Sequence, residues 1–223
     1  MPREMFVREV RELQDEMLAL GSMAEKAIAR AIEALTTRHV MTARQVIGDD
    51  DLLDEKRTQI ERQALLLIAT QQPVASDLRT IAAVMTVATE LERIGDYAEG
   101  IAKICIDIAG EPALPPITII PRMADRARDM LDRSLEAFIG RDVEAAKRIW
   151  NEDDHIDALY DQVYHELLAF MISDPATINR ATRLLWASHN LERIADRVTN
   201  ICESTVFMVL GQIDVIKTPE LAR

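Results

Sequence analysis

The stretch Leu91-Glu92-Arg93-Ile94-Gly95-Asp96 returns one hundred residues later as Leu191-Glu192-Arg193-Ile194-Ala195-Asp196, and its surroundings return with it. Five identities in six positions arise by accident on the order of once in a hundred chains of this length, taking ~1 in 20 per site, so the echo is read as an internal duplication. Working outward, Met23-Ala24, Ala27 and Leu35 match Met123-Ala124, Ala127 and Leu135 at an offset of 100. Ala43, Asp50, Asp51 and Asp54 match Ala146, Asp153, Asp154 and Asp157 at 103 instead. Two three-residue changes of register must therefore be absorbed. They fall near Arg38 to Met41 (against Arg141) and near Gln71 to Ser76 (against Ser173 to Pro175), and both places read as loops.

The period divides 223 residues into two units, each long enough to bury its own core. A chain that is 48% hydrophobic but 4% aromatic, with 7 Gly and 8 Pro, suits helices packed through aliphatic side chains better than a turn-rich sheet. From about Arg3 to Thr37, apolar residues at Phe6, Val10, Leu13, Met17, Leu20, Ala24, Ala27 or Ile28, Ala31 and Leu35 keep the three-and-four rhythm of an amphipathic helix. Further helices are predicted from Met41 to Thr70 and from Ser76 to Ala109, the last with Leu91, Ile94, Ala98, Ile101, Cys105 and Ile108 as its buried stripe. Gly110 to Pro116 carries one Gly and three Pro and breaks the pattern. Three more helices follow over Pro121 to Ile139, Val143 to Ile172 and Asp174 to Gln212, with Asp174 or Ser173 capping and Pro175 in the first turn. The expected fold is all-α, a tandem duplication of two antiparallel three-helix bundles with six long helices. The repeats are expected over 1–111 and 121–212, with a Pro-rich linker at 112–120 and a frayed tail over 213–223.

Charge and motif content exclude several classes. Net charge is −12, and no local basic patch offsets it, so direct nucleic-acid binding is not expected. No apolar run approaches the ~18 residues of a membrane span, the longest being Ala64 to Ala69, and no secretory signal opens the chain, so membrane insertion is not expected and a cytoplasmic location is. Cys105 and Cys202 share no metal-type spacing and read as buried free thiols. Nucleotide-type glycine motifs and nucleophile elbows are absent. Glu152-x-x-His155 stands alone, whereas a di-iron carboxylate bundle needs two such pairs. His189 faintly matches a phosphoacceptor helix, but its counterpart in the first repeat is Thr89. Trp150 and Trp186 read as core or interface anchors.

The chemistry-bearing pattern is acidic. Glu92, Asp96, Glu99 and Lys103 step by four, three and four along the third helix, and Glu192, Asp196, Asn200 and Glu203 form a similar ladder on the sixth. The second and fifth helices add Asp50 with Asp54 and Asp153 with Asp157. A chain this acidic should show about six such pairs by chance, so their repetition in register is the informative part. Two carboxylates ~6 Å apart repel by roughly 2 to 3 kcal/mol at an effective dielectric of ~20. Neighbouring pairs therefore favour a cation, and oxygen donors suit magnesium, manganese or iron, with zinc less exclusively. Solvated acidic faces bounding the core are the simpler alternative. Arg93 and Arg193 either balance these charges or form ordinary surface ion pairs.

Leu-Glu-Arg-Ile-Gly/Ala-Asp in each half, preceded by an Asp-x-x-x-Asp pair, resembles the PhoU family of phosphate-signalling regulators, and the resemblance runs from about Arg3 to Leu210. It implies two three-helix bundles whose E(D)-x-x-x-D motifs hold multinuclear metal clusters, carried over here onto Asp50, Asp54, Glu92, Asp96, Asp153, Asp157, Glu192 and Asp196. The family motif continues into Asn-Ile-Ala-Glu, which Asn200-Ile201-Cys202-Glu203 keeps and Gly100-Ile101-Ala102-Lys103 does not. Lys103 sets a cation on the first ladder, so that site is expected to bind metal more weakly or to use Glu99. The resemblance further implies a non-enzymatic negative regulator that couples the ATPase subunit of a phosphate ABC transporter to a sensor histidine kinase, and a homodimer. A metal-dependent enzyme or a metal-binding helical scaffold is the alternative reading.

Overall fold

The computed structural model describes residues 2–115, 118–212 and 216. Helix α1 (Pro2–Thr37) turns back through Arg38 and His39 into α2 (Val40–Gln71), and a short loop leads to α3 (Ser76–Ile108). The second set comprises α4 (Ile119–Gly140), α5 (Val143–Trp150), α6 (Asp153–Ser173) and α7 (Ile178–Leu210), with a single 3-10 turn at Pro175–Thr177 before α7. The architecture is all-helical, six rods in two sets of three, with the fifth rod broken into α5 and α6. Pro116 and Ile117 of the linker lie outside the described residues. So does the expected frayed tail, apart from Ile216, which packs half-buried against the core.

The stripe on α1 buries as the periodicity requires, with Leu13, Met17, Leu20, Ala24, Ile28, Ala31 and Leu35 inside and Val10 and Ala27 only partly covered. Each buried Leu, Ile or Met contributes about 1.5–3 kcal/mol over exposure. Both turns that open the second rod of a repeat are built alike. Arg38 and Arg141, 103 positions apart, both sit in the left-handed region, at φ 56° and 55°. The residues that follow both cap the next helix: His39 Nδ1 accepts from Thr42 N at 3.3 Å, and Asp142 Oδ1 accepts from Ala145 N at 2.9 Å. Since the two turns are equally long, the first register change is not absorbed in a loop as expected. It lies in Phe138-Ile139-Gly140, an added turn at the end of α4. The second change does fall in a loop, Gln72–Ala75 against Asp174 and the 3-10 turn, where Asp174 Oδ1 caps Ala176 N at 3.0 Å.

One expected helix is corrected. The predicted rod from Val143 to Ile172 breaks at Asn151 and Glu152. Asn151 Nδ2 donates to the Lys147 carbonyl at 2.8 Å, competing with the helical ladder. Glu152 is meanwhile held from outside by a two-pronged bond from Arg133 on α4, at 2.8 and 2.7 Å. The new N-terminus at Asp153 and Asp154 places two carboxylates where the helix dipole favours them.

Helices α3 and α7 form the centre. Each packs on the other rods of its own set, and the two pack on each other along most of their length, with α1 crossing α4 beside them. The seam carries the signature of a two-fold relation, in which a contact between positions i and j is repeated between their counterparts. Glu90 on α3 accepts from Asn200 Nδ2 at 3.0 Å and from Arg197 at 3.3 Å on α7. One hundred residues on, Asn190 of α7 lies against Gly100 of α3, where an added Cβ would stand 2.8 Å from Asn190 Nδ2. The departure of Gly100 from the asparagine found at 200 thus has a packing cause: the backbone at 100 leaves room for Asn190.

Candidate metal centres on the acidic ladders

Residues three or four apart lie above one another on a helix, so Asp50 and Asp54 form a column on α2 and Glu92, Asp96 and Glu99 a column on α3. Packing of α2 on α3 sets these columns side by side. Gly95 permits the approach: a Cβ there would lie 2.6 Å from Leu53 Cδ2 and 3.4 Å from Asp50 Oδ1. A cleft of about 210 Å³ between α1, α2 and α3 opens beside Asp50 and Gly95, with Lys26 and Arg30 among its lining residues.

Burial and like charge act together in this cluster. The Asp50 carboxyl is pushed up to about 6, first by loss of water and then by the charges of Glu99, Asp96 and Asp54, against the pull of Lys103. Glu92 rises to about 7 through burial, a hydrogen bond with Asp54 and the charges of Asp96 and Asp54. Arg57, 3.7 Å away, opposes the rise. Asp96 is raised by burial and by Asp54, with Arg93 and Lys103 opposing. Lys103 bonds Glu99 at 2.5 Å, so the cation on this ladder is tied to the acid expected to replace the missing one.

The second cluster assembles on α6 and α7. Asp153 is pushed up to about 6 by burial and then by Asp196, Asp157, Asp154 and Glu192, and Asp157 is raised by burial and by Glu192 and Asp196. Glu192 meets His189 Nδ1 at 2.7 Å, and Asp196 accepts from Arg193 Nη1 at 2.6 Å. Tyr97 on α3 lies close enough to help hold the Arg193 guanidinium protonated, so Arg193 balances its own helix and faces the seam as well. Asp153 Oδ1 is buried without any hydrogen-bond partner. A buried carboxylate oxygen left in that condition costs about 1–3 kcal/mol or more, which a cation would offset.

The donor chemistry of both clusters suits a hard divalent ion or iron. Among the described residues, though, no three Asp, Glu, His or Cys side chains converge as a ready metal cage. The structure brings like charges together in both clusters and leaves Asp153 Oδ1 without a partner.

Other expected ligands stand elsewhere. The Asn200 amide is engaged by Glu90 at the seam. Glu203, half-buried, is close enough to help burial push the Cys202 thiol up to about 12, against Arg133. Exposed His155 sits at the start of α6, and Cys105 donates to the Ala34 carbonyl at 3.1 Å, a buried free thiol like Cys202. Sequence spacing missed Glu90 and Arg197, although the matched pairs Glu90/Asn190 and Gly100/Asn200 held the signal.

The sequence profile of the PhoU domain matches the chain twice, over residues 7–105 and 120–205. The chain belongs to the PhoU family. It is 39% identical over 217 residues to a phosphate-specific transport system accessory protein PhoU homolog of Clostridium acetobutylicum, covering 96% of this chain and 99% of that one. A homolog from Rhizobium meliloti is 36% identical over 92% of this chain and 87% of its own. The crystal structure of PhoU from Pseudomonas aeruginosa superimposes with a TM-score of 0.88 at 31% identity, covering 93% of this chain and all of that one. The phosphate transport system regulatory protein PhoU from Streptococcus pneumoniae gives 0.87 at 29% identity, covering 93% and 98%. PhoU proteins are regulatory and accessory proteins, not enzymes. No helix among the described residues is long and apolar enough to cross a membrane.

Proposed function

We propose that this PhoU-family chain is a cytoplasmic adaptor that holds the phosphate-starvation response off when phosphate is plentiful, coupling the ATPase subunit of a phosphate ABC transporter to a sensor histidine kinase and modulating phosphate uptake. The relatives named for accessory service to phosphate-specific transport support this reading. The observation that carries it is the pair of half-buried carboxylate ladders, one in each copy of the domain, both short of positive charge. Asp50, Asp54, Glu92 and Asp96 would hold ions in the first copy, and Asp153, Asp157, Glu192 and Asp196 in the second. A bound magnesium, manganese, iron or zinc ion would supply the positive charge that cancels their repulsion and stiffens the helix pair. An adaptor of this kind acts by binding one conformation of its partner better than another, which shifts the population without chemistry.

Deletion of the gene is expected to switch on phosphate-starvation genes in phosphate-rich medium, and the chain with Glu192→Gln and Asp196→Asn is expected to restore repression incompletely. Co-purification from phosphate-replete cells should bring the transporter ATPase and the kinase. Repression left intact after deletion contradicts the reading. The long helices also leave surface for self-association, and we extend the proposal to a homodimer. Sedimentation at micromolar concentration should then show twice the 25.1 kDa of one chain, and a single-chain species rejects the dimer.

A further inference from the structure

The two copies differ most in chemistry on the outer face of the pair that bears the ladder. In the first copy Arg57 lies between Glu61, at 2.7 Å, and Glu92, at 3.7 Å, so the chain supplies its own guanidinium to those acids. At the counterparts of Arg57 and Glu61 the second copy has Tyr160 and Tyr164, and at those of Thr86 and Thr89 it has Trp186 and His189. Glu192, the counterpart of Glu92, therefore has no arginine from α6. These side chains form one group. The His189 ring lies 5.7 Å from Trp186, edge to face, and 6.1 Å from Tyr160. Burial first, and then the nearby Glu192, Asp161 and Tyr164, hold the Tyr160 hydroxyl above its usual range.

The group concentrates scarce residues. It takes two of the three tyrosines, one of the two tryptophans and one of the four histidines of the chain. Trp186 is 54% exposed and Tyr164 42%. Nothing in the core requires an indole in water. Open aromatic faces flanked by carboxylates attract a flat cation twice, through the ring quadrupole and through charge. Exposed Trp and Tyr of this kind are also the side chains that anchor protein interfaces.

We infer that the α6–α7 face formed by Tyr160, Tyr164, Trp186 and His189, with Asp161 and Glu192 beside it, docks an arginine-bearing segment of a partner protein. The incoming guanidinium stacks on the exposed rings of Trp186 and Tyr164, beside Asp161 and the Glu192–His189 pair. Lysine fits less well, because a compact ammonium cannot stack flat on the indole.

The test uses the full chain and a short fluorescein-labelled peptide carrying several arginines among alanines, read by fluorescence anisotropy. Saturable binding is expected, weakened at least tenfold by Trp186→Ala and by Tyr164→Ala, and lost when citrulline replaces each arginine in the peptide. Trp186→Phe should recover part of the loss. Both aromatic side chains are exposed and neither variant changes net charge or touches the ladder, so helicity by circular dichroism should stay unchanged. Glu192 also belongs to the second ladder, so the titration is run on metal-free protein, where its outcome does not depend on whether the ladder binds metal. The inference is overturned if the peptide does not bind, or if Trp186→Ala binds as well as the parent, which would mean diffuse attraction to an acidic protein. It is equally overturned if Trp186→Ala converts a dimer to a monomer, because a second copy would then own the face.

Discussion

Burial, with Asp54 and Asp96 close by, raises the Glu92 carboxyl to about 7. The consequence for stability has a definite sign. Glu92 is held near 7 in the fold against an ordinary 4.5, so the native state binds more protons than the unfolded chain between those values. The stabilisation is complete below about pH 4.5 and is lost as pH rises through 7. At about 1.4 kcal/mol per unit, it amounts to a few kcal/mol at most for a side chain that is 19% exposed. Asp50 and Asp153, both near 6, act in the same direction. The melting temperature of metal-free protein should therefore fall between pH 5 and pH 8, and Glu92→Gln, which carries no titrating group at that position, should flatten that fall. An unchanged slope in the variant would contradict the raised Glu92 carboxyl. The carboxylates themselves were legible from spacing, but their protonation was not, since it depends on how much water two packed helices exclude. Asn200 was misleading for a geometric reason: each four-residue step advances about 40° around the helix, so two steps carry position 200 roughly 80° from Glu192 and onto the seam.

Helix pairing is decided at the α3–α7 seam, where Glu90 is 14% exposed and Arg197 19%. Removing the acid leaves a guanidinium and an amide facing each other without an acceptor. Glu90→Ala should cost about 1–3 kcal/mol in denaturant unfolding, and Glu90→Gln less, because an amide oxygen still accepts from Asn200. Equal losses for both variants would show that the bond to Asn200 carries none of the stability. The rods and the apolar stripes of α1 and α3 were readable because their burial follows a 3.6-residue period. The break between α5 and α6 was not, because Ile149 and Ile156 keep helical spacing across it while the cause lies in Asn151 and in Arg133 of another helix. The register change at the end of α4 was hidden likewise, since three added residues make nearly a whole turn and return the stripe to the same face.

At the scale of the molecule, duplication explains why one motif yields two carboxylate clusters and one seam. Matched offsets made the six rods and their two-fold relation legible from sequence, whereas the equal left-handed turns at Arg38 and Arg141 were not, because the register change was expected between them. Differences between the copies carry what duplication alone does not: Lys103 bonded to Glu99 in the first, the orphaned Asp153 oxygen in the second, and aromatic residues where the first copy uses Arg57. With a net charge of −12, the whole chain also gains from bound cations. The most direct measurement is metal content of the purified protein by mass spectrometry, comparing the parent with Glu92→Gln/Asp96→Asn, with Glu192→Gln/Asp196→Asn, and with all four changes combined. Each pair of changes should remove the metal of one ladder, the second-copy pair the more tightly held share, and the combined variant should carry none. Metal content unchanged in the combined variant, or a parent protein that holds no metal after loading, would contradict the assignment of the ladders as cation sites.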